Sequence, residues 1–522
     1  MSTVRTRYFA FFHSPLLVVF AFFTFSLSFL NQGLYWFYQN AFKQGHFSWF
    51  YYLGLLVLIS LYALTFNYLQ TKRQMLHCSF SLKAFSLHLF VMIFLSPIFF
   101  WRFYQLFLAW RPLPAKFLSF VFLYRWKVLP VVVLIYLLLL YFIYRLILSA
   151  YFIETSCTLK EGFVLSWQKT KKSVGHQLVG FLFLPTIILL SQFLLKLLFI
   201  HGTSVLHDTA LAVLFLTAYF ILKNGLQLLF LFYLSSIGKS APFKANTTFV
   251  HFGTIFSAVL CIGVYSFYSN HLFNQYNDTQ ALTISHRGVT ADNALQNSLT
   301  ALKKTHAKKQ HDLIEMDIQE TADNQLVVMH DENLKKLANK DVRIDETTWE
   351  ELKHLTLKEN GYQEDIPLFS DYLKTANAIH QKLLIELKVS AKTKSTIIKQ
   401  LLPLRSQLAH HQFQSMDLET AEKIKQEFPT HQVGYILPFD LLGSPHNTVD
   451  FVAIESRTAS SALIQALKYR QQNIYSWPVN SARAASAFRL YNLNGLISDD
   501  LTSLNTKSST LSKKTASILL LN

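Results

Sequence analysis

A chain of 522 residues is too long for one ordinary domain, and its formal net charge of +17 sits in one half of it. Before Asp278 there are 20 Lys and Arg against Glu154, Glu161 and Asp208, whereas the remainder balances 28 basic with 28 acidic residues. A neutral C-terminal half argues against nucleic acid as a partner, which calls for a basic face on the soluble domain. Cys78, Cys157 and Cys261 all lie in the first half without metal-ligand spacing, so neither a disulfide framework nor a cysteine metal site is indicated.

Residues 1–275 read as an α-helical multi-pass membrane domain. A bilayer-crossing helix needs about 20 mostly apolar residues, and seven stretches qualify: about Leu16 to Phe37, Phe47 to Leu69, Phe85 to Phe103, Val128 to Ser149, Gln177 to Ile200, Ala210 to Ser235 and Phe249 to Ser269. Trp36, Tyr51, Tyr52, Trp101 and Trp126 fall near span ends, where amphipathic rings favour the interface. The first span follows Arg5 and Arg7 without a small-residue cleavage site, as expected of a retained anchor. Basic residues at Arg5/Arg7, Lys72/Arg73/Lys83, Lys160/Lys169/Lys171/Lys172 and Lys239/Lys244 alternate with poorer loops. By the positive-inside rule these mark the cytoplasmic side, and seven spans then put the C-terminal half outside. Arg102, Arg111, Lys116, Arg125 and Lys127 oppose that orientation. The Pro-interrupted stretch Ala109 to Leu123 reads either as an interfacial or re-entrant segment or as an eighth span that reverses it. Arg145, Lys196 and Lys223 fall in or near spans, where charges are functional candidates; snorkelling toward water is the plainer expectation.

From Ala281 the pattern changes to short β-type runs alternating with amphipathic helical runs. The strands expected are Ala281 to Ser285, Asp312 to Ile318, Leu326 to Met329, Leu383 to Ile385, Phe413 to Met416, Val433 to Leu437, Phe451 to Ile454, Ile474 to Trp477 and Leu496 to Ser498. Helices are expected over Ser298 to Lys308, Thr393 to Gln407, Leu418 to Glu427, Ser460 to Gln471 and Ala482 to Tyr491. Strands alternating with helices imply a parallel sheet. About eight such units over residues 276–505 match an α/β (β/α)8 TIM-type barrel, with 506–522 left as a C-terminal tail. An open doubly wound sheet is the alternative, but no Gly-rich phosphate loop follows the first strand.

The strand ends carry the chemistry. His286-Arg287-Gly288 follows the first strand, Glu315 and Asp317 lie within the second, His330-Asp331 follows the next, and Glu386-Leu387-Lys388 closes a later one. Glu315 and Asp317, two residues apart on a strand, point the same way. Ile314, Met316 and Ile318 around them mark that strand as buried, where carboxylates without a cation are costly. Hard oxygen ligands of this kind suit Mg2+ or Ca2+. Two imidazoles beside them can take a proton from a nucleophile and give one to a departing alkoxide, and the residues alone leave open which does which. An Arg and a Lys can hold phosphoryl oxygens or neutralise the carboxylates. Gly288 lets the first turn approach a ligand closely.

In order and spacing, the stretch from His286 to Asp500 resembles a glycerophosphodiester phosphodiesterase domain. His-Arg-Gly, Glu-x-Asp, His-Asp, Glu-x-Lys, Phe413 to Asp417, Trp477-x-x-Asn480 and Gly495 to Asp499 carry the match. The multi-pass first half resembles, by layout, that of some bacterial members. The resemblance implies Glu315, Asp317 and Glu386 as metal ligands and His286 and His330 as general acid and base. It also implies Arg287 and Lys388 as phosphate contacts, with Trp477 either walling the pocket against a glycerol moiety or packing the barrel. It departs at Gln296-Asn297-Ser298, where the family has Glu-Asn-Thr, and at Asp323-Asn324, where it has Asp-Gly. The activity implied is hydrolysis of a glycerophosphodiester or lysolipid to sn-glycerol 3-phosphate and an alcohol, beside the lipid bilayer. A phospholipase C- or D-like enzyme on intact lipid and a catalytically dead lipid-binding or transport protein are the alternatives.

Overall fold

The structure is a computed structural model and describes residues 15–43, 49–73, 81–154, 158–172, 174–235, 247–275, 279–437, 440–504 and 510–522. Arg5, Arg7, Lys239, Lys244, Cys78 and Cys157 lie outside the described residues. The chain divides into two compact units, one of residues 1–106 and 124–275, the other of residues 107–123 and 276–522.

Among the described residues seven helices are long and apolar enough to cross a membrane: Val18–Tyr38, Tyr51–Gln70, Leu82–Trp110, Arg125–Ile153, Pro185–Val205, Thr209–Leu234 and Phe252–Asn274. All lie in the first unit except the last four residues of Leu82–Trp110, which belong to the second. Helices are the form such sequences must take in lipid, because each satisfies its backbone hydrogen bonds internally. Their outward faces are apolar, as at Val131, Val132, Leu134, Ile135 and Leu138, all exposed. Arg145 does not snorkel: it is buried, donates from Nη2 to Trp167 O at 2.6 Å and lies 4.3 Å from the Trp167 ring, tying helix Arg125–Leu146 to helix Leu159–Lys172. Arg102 lies 4.0 Å over the Tyr35 ring and donates to Gln32 Oε1 and the Tyr268 hydroxyl. It is therefore a helix-packing group and not a loop charge. The stretch after Trp110 holds helix Ala115–Leu123, nine residues long, or about 14 Å, less than half the thickness of a bilayer core. It is not an eighth span.

The second unit contains β1 (Leu282–Ser285), β2 (Leu313–Glu320), β3 (Leu326–Val328), β4 (Thr356–Glu359), β5 (Tyr362–Asp365), β6 (Leu383–Leu387), β7 (Gln412–Ser415), β8 (Val433–Ile436), β9 (Phe451–Glu455), β10 (Asn473–Trp477) and β11 (Gly495–Ser498). Strands β1, β2, β6, β7, β8, β9, β10 and β11 pair in parallel in that order, and β1 pairs with both β2 and β11. The sheet is therefore a closed eight-stranded parallel barrel. Its interior is filled by Ile284, Leu313, Leu384, Ile436, Phe451, Ala453, Tyr475 and Ile497. Volume is balanced locally: Phe451 stacks on Tyr475 at 4.1 Å, and a Cβ at Gly434 would lie 2.0 Å from the Phe451 ring. A small residue opposite two large ones is how such a layer closes without strain.

Two sequence expectations change here. Leu326–Val328 is not a barrel strand; it runs antiparallel to β2 as an appendage, so His330 reaches the barrel mouth from a side ribbon. The helix expected over Thr393 to Gln407 shortens to Ile397–Leu401 followed by a 3-10 turn at Leu402–Leu404, because Pro403 cannot donate within a helix. The antiparallel hairpin β4–β5 was not anticipated. Residues Leu511–Leu521, placed in the tail by the sequence, form a helix with Ile518 and Leu519 buried, and Asn522 donates to the Tyr491 hydroxyl at 2.7 Å.

Candidate active site

Register places the acidic groups before any side chain is considered. Asp317 on β2 pairs with Glu386 on β6, which pairs with Gln414 on β7. In a parallel barrel such partners share a face, so a carboxylate, a carboxylate and an amide stand side by side near the C-terminal strand ends, with Glu315 two residues below Asp317. One oxygen from each of Glu315, Asp317 and Glu386 falls within 4.8 Å of the others. His286, Arg287, Glu315, His330, Glu386, Lys388, Gln414 and Trp477 line one cavity at this mouth.

The turn after β1 is built for this position. Arg287 adopts φ 52° and Gly288 φ 72°, and a left-handed conformation at a non-glycine residue marks a local constraint. The bend aims the Arg287 backbone N–H at Glu315 Oε2, 2.8 Å away. Asn297, also left-handed, grips Asp317 twice: its Nδ2 donates to Asp317 Oδ2 at 2.8 Å, and its Oδ1 accepts from Asp317 N at 3.1 Å.

Both imidazoles are anchored through Nδ1. His286 meets Asp499 Oδ1 at 2.6 Å, and Asn480 Nδ2 donates to the other Asp499 oxygen at 2.6 Å. His330 meets Asp331 Oδ1 at 2.7 Å. Burial raises Asp499, but the hydrogen bond and charge of His286 outweigh it and hold the carboxyl at about 2. The hydrogen bond from His330 likewise holds Asp331 below its ordinary value. Ionised carboxylates only accept, so each Nδ1 carries a proton and each Nε2 lies outside these bonds. The His330 segment is fixed by Gln319, whose Nε2 donates to the carbonyls of Met329, His330 and Asp331 at 2.9, 3.2 and 3.0 Å.

The electrostatics are those of a site short of positive charge. Burial pushes Glu315 well above the usual carboxyl range, and the charges of Asp317 and Glu386 push it further. Burial raises Asp317 too, but Lys388, His330 and Arg287 with the Asn297 hydrogen bond hold it low. Lys388 Nζ stands 3.4 Å from Glu386 Oε1 and 3.7 Å from Asp317 Oδ1. Burial alone would lower this ammonium, but those two carboxylates raise it. Asp317 Oδ1, Arg287 Nε, Gln414 Oε1 and Trp477 Nε1 are buried and have no hydrogen-bond partner among the described residues. The two acceptor oxygens among them, beside the oxygen-only set of Glu315, Asp317 and Glu386, fit a divalent cation, and the two N–H donors fit a phosphoryl group.

All eight residues singled out by the sequence thus converge on one mouth. Sequence reasoning missed Asp499, Asn480 and Gln319 as positioning groups, and it missed a relay: Arg287 Nη1 donates to Gln296 Oε1 at 2.6 Å, and Gln296 Nε2 donates to Glu359 Oε1 at 2.7 Å. The hairpin β4–β5 thereby brings an acidic group, Glu359, against Gln296. Glu359→Ala releases the Gln296 amide to flip and loosens Arg287. KM for a phosphodiester is expected to rise about tenfold, the scale of one charge-assisted hydrogen bond, with kcat much less affected. Steady-state kinetics of this variant check it, and an unchanged KM would show that the relay does not hold Arg287.

Residues 286–503 match the Glycerophosphoryl diester phosphodiesterase family. The chain is similar to the Bacillus subtilis (strain 168) protein YhdW, provisionally named a glycerophosphodiester phosphodiesterase, at 26% identity over 231 residues, covering 41% of this chain and 93% of that protein. Among solved structures it is similar to an Oleispira antarctica phosphodiesterase in complex with the product sn-glycerol-3-phosphate, at 18% identity and a TM-score of 0.37, over 45% of this chain and 97% of that one. A Thermotoga maritima glycerophosphodiester phosphodiesterase is similar at 22% identity and a TM-score of 0.36, over 43% of this chain and 97% of that one.

Proposed function

We propose that this chain, whose residues 286–503 belong to the glycerophosphoryl diester phosphodiesterase family, hydrolyses glycerophosphodiesters to sn-glycerol 3-phosphate and an alcohol with the help of a divalent cation. The observation that carries the reading is the meeting of Glu315, Asp317 and Glu386 oxygens within 4.8 Å, in a cavity that His286 and His330 also line. A cation held there, Mg2+ or Ca2+, would neutralise phosphoryl oxygens as charge builds in the transition state.

The protein's own residues do the rest. Arg287 and Lys388 orient the phosphate, the first by paired donors and the second as a point charge. One imidazole, neutral with its proton on Nδ1, accepts the proton of the attacking hydroxyl at Nε2, while the other enters as the imidazolium and gives its Nε2 proton to the leaving alkoxide. Asp499 and Asp331 accept from Nδ1 of the two rings in either protonation state. Trp477, from the end of β10, walls the side of the cavity where a glycerol moiety would lie. A catalytically dead protein would be expected to have lost one of His286, His330, Glu315, Asp317 or Glu386, and all five are present.

The seven apolar helices fit a membrane-embedded protein, and tethering favours substrates generated at that membrane: deacylated or lysophospholipids, or glycerophosphate polymers of the wall. The alternation of basic and poorer loops in the sequence supports an orientation with the barrel outside the cytoplasm. The experiment is a product assay of the detergent-solubilised chain on glycerophosphocholine, lysophospholipid and intact phospholipid. Release of glycerol 3-phosphate from the first is expected. Choline phosphate or phosphatidic acid as the product, with glycerophosphocholine untouched, would replace this reading by a phospholipase.

A further inference from the structure

The outer layer of the barrel has a gap. Helices Leu299–Lys308, Phe369–Ala378, Ile397–Leu401, Leu418–Glu427, Ser461–Tyr469 and Ala482–Leu490 cover the other crossovers. Between β8 and β9, by contrast, the described residues form only the three-residue turn Asp440–Leu442. Residues 107–123 belong to this same compact unit, and their first residues meet the barrel there. Arg470 donates from Nη1 to Ser444 O at 2.8 Å and from Nη2 to Ala109 O at 3.0 Å. The Trp110 and Tyr469 rings stand 5.0 Å apart. Gly443, at φ 80°, has no room for a Cβ because Leu108 O would lie 2.1 Å from it.

The helix beyond this contact is not built for water. In Ala115–Leu123 only Lys116 and Ser119 are polar; Leu118 is buried, while Phe117 is 48% and Phe120 52% exposed. The helix is separated by four residues from the span that ends at Trp110 and by one from the span that begins at Arg125. At no more than about 3.6 Å per residue, neither end of it can lie farther than about 18 Å from a span. Arg111, Lys116, Arg125 and Lys127 lie within it or beside it in the sequence, and anionic headgroups attract such residues at about 1 kcal/mol each near the surface.

We propose that residues 107–123 are a membrane-interface element of the barrel unit: Leu108 to Trp110 close the barrel wall at the β8–β9 gap, and helix Ala115–Leu123 lies in the headgroup boundary of its own bilayer with Phe117 and Phe120 in the lipid. Short apolar helices flanked by basic residues bind interfaces in this way. The barrel is then held to the lipid surface through a second point besides its covalent link after Gln275. The inference does not depend on the proposed activity, since it concerns only the wall and the lipid.

The test uses the full chain, with its three native cysteines replaced by alanine, in vesicles of phosphatidylcholine and phosphatidylglycerol. An environment-sensitive fluorophore is attached at Phe117→Cys or, separately, at Phe120→Cys. Blue-shifted emission, with strong quenching by lipids carrying a nitroxide near the headgroup and weak quenching by those carrying it near the chain end, is expected at both positions. Water-like emission, strongest quenching at the bilayer centre, or crosslinking between copies through these positions would overturn the interfacial placement. The wall contact has its own readout: Trp110→Cys with Tyr469→Cys should be joined intramolecularly by a short bis-maleimide that spans the space the two rings fill. Failure of that pair to crosslink, in a chain that still melts cooperatively, would overturn the docking.

Discussion

Replacing His330 or His286 with alanine is expected to lower kcat on a glycerophosphodiester by about 10²–10⁴-fold each, the usual contribution of a positioned acid or base, while KM stays near the wild-type value. The split follows from the geometry. Arg287, Lys388 and Trp477, which would hold the bound substrate, are untouched by either change, and the imidazoles matter only when protons move. The double variant should fall little further than the worse single one, because acid and base act in one transition state. Asp499→Asn should sit between wild type and His286→Ala. It keeps an acceptor for Nδ1 but loses the charge that supports the imidazolium. Initial rates across substrate concentration check all four. A His variant within threefold of wild-type kcat would remove that residue from the chemistry.

The second large effect concerns the carboxylates. Asp317→Asn or Glu386→Gln should abolish measurable turnover, and chelation with EDTA should do the same to the wild type, with recovery on adding Mg2+ or Ca2+. Stability gives an independent readout. Glu315, Asp317 and Glu386 repel one another in the metal-free protein, so a cation at about 100 times its Kd should stabilise the barrel by about 2.7 kcal/mol. Glu315→Gln relieves that repulsion and is expected to leave the metal-free melting temperature unchanged or higher while removing the metal-dependent rise. A variant whose melting still rises with the cation as in wild type would place the ion elsewhere.

The site was legible in the sequence wherever its logic is local. Glu315 and Asp317 share a face because they are two apart on a strand bounded by Ile314, Met316 and Ile318, all buried as that pattern requires. His286 and Lys388 come directly after strand ends. The part that escaped is non-local. Asp499 reaches His286 across 213 positions and Glu359 reaches Gln296 across 63, and neither pairing leaves a trace in composition or period. Hairpin β4–β5 was hidden because Thr356 to Asp365 is largely polar and exposed on alternate residues, so no apolar run announces it. The β3 ribbon looked like one more barrel strand because Leu326 to Val328 is wholly buried, and burial alone does not reveal strand direction. Arg145 read as a snorkelling cation because the indole that receives it comes from the next helix.

The most direct measurement is an experimental structure of the full chain with Ca2+ and sn-glycerol 3-phosphate bound. The ion should lie about 2.3–2.6 Å from oxygens of Glu315, Asp317 and Glu386, with the phosphate against Arg287 and Lys388 and both His286 and His330 Nε2 within reach of its oxygens. An ion bound away from those three carboxylates, or a product held at another face of the barrel, would contradict the assignment.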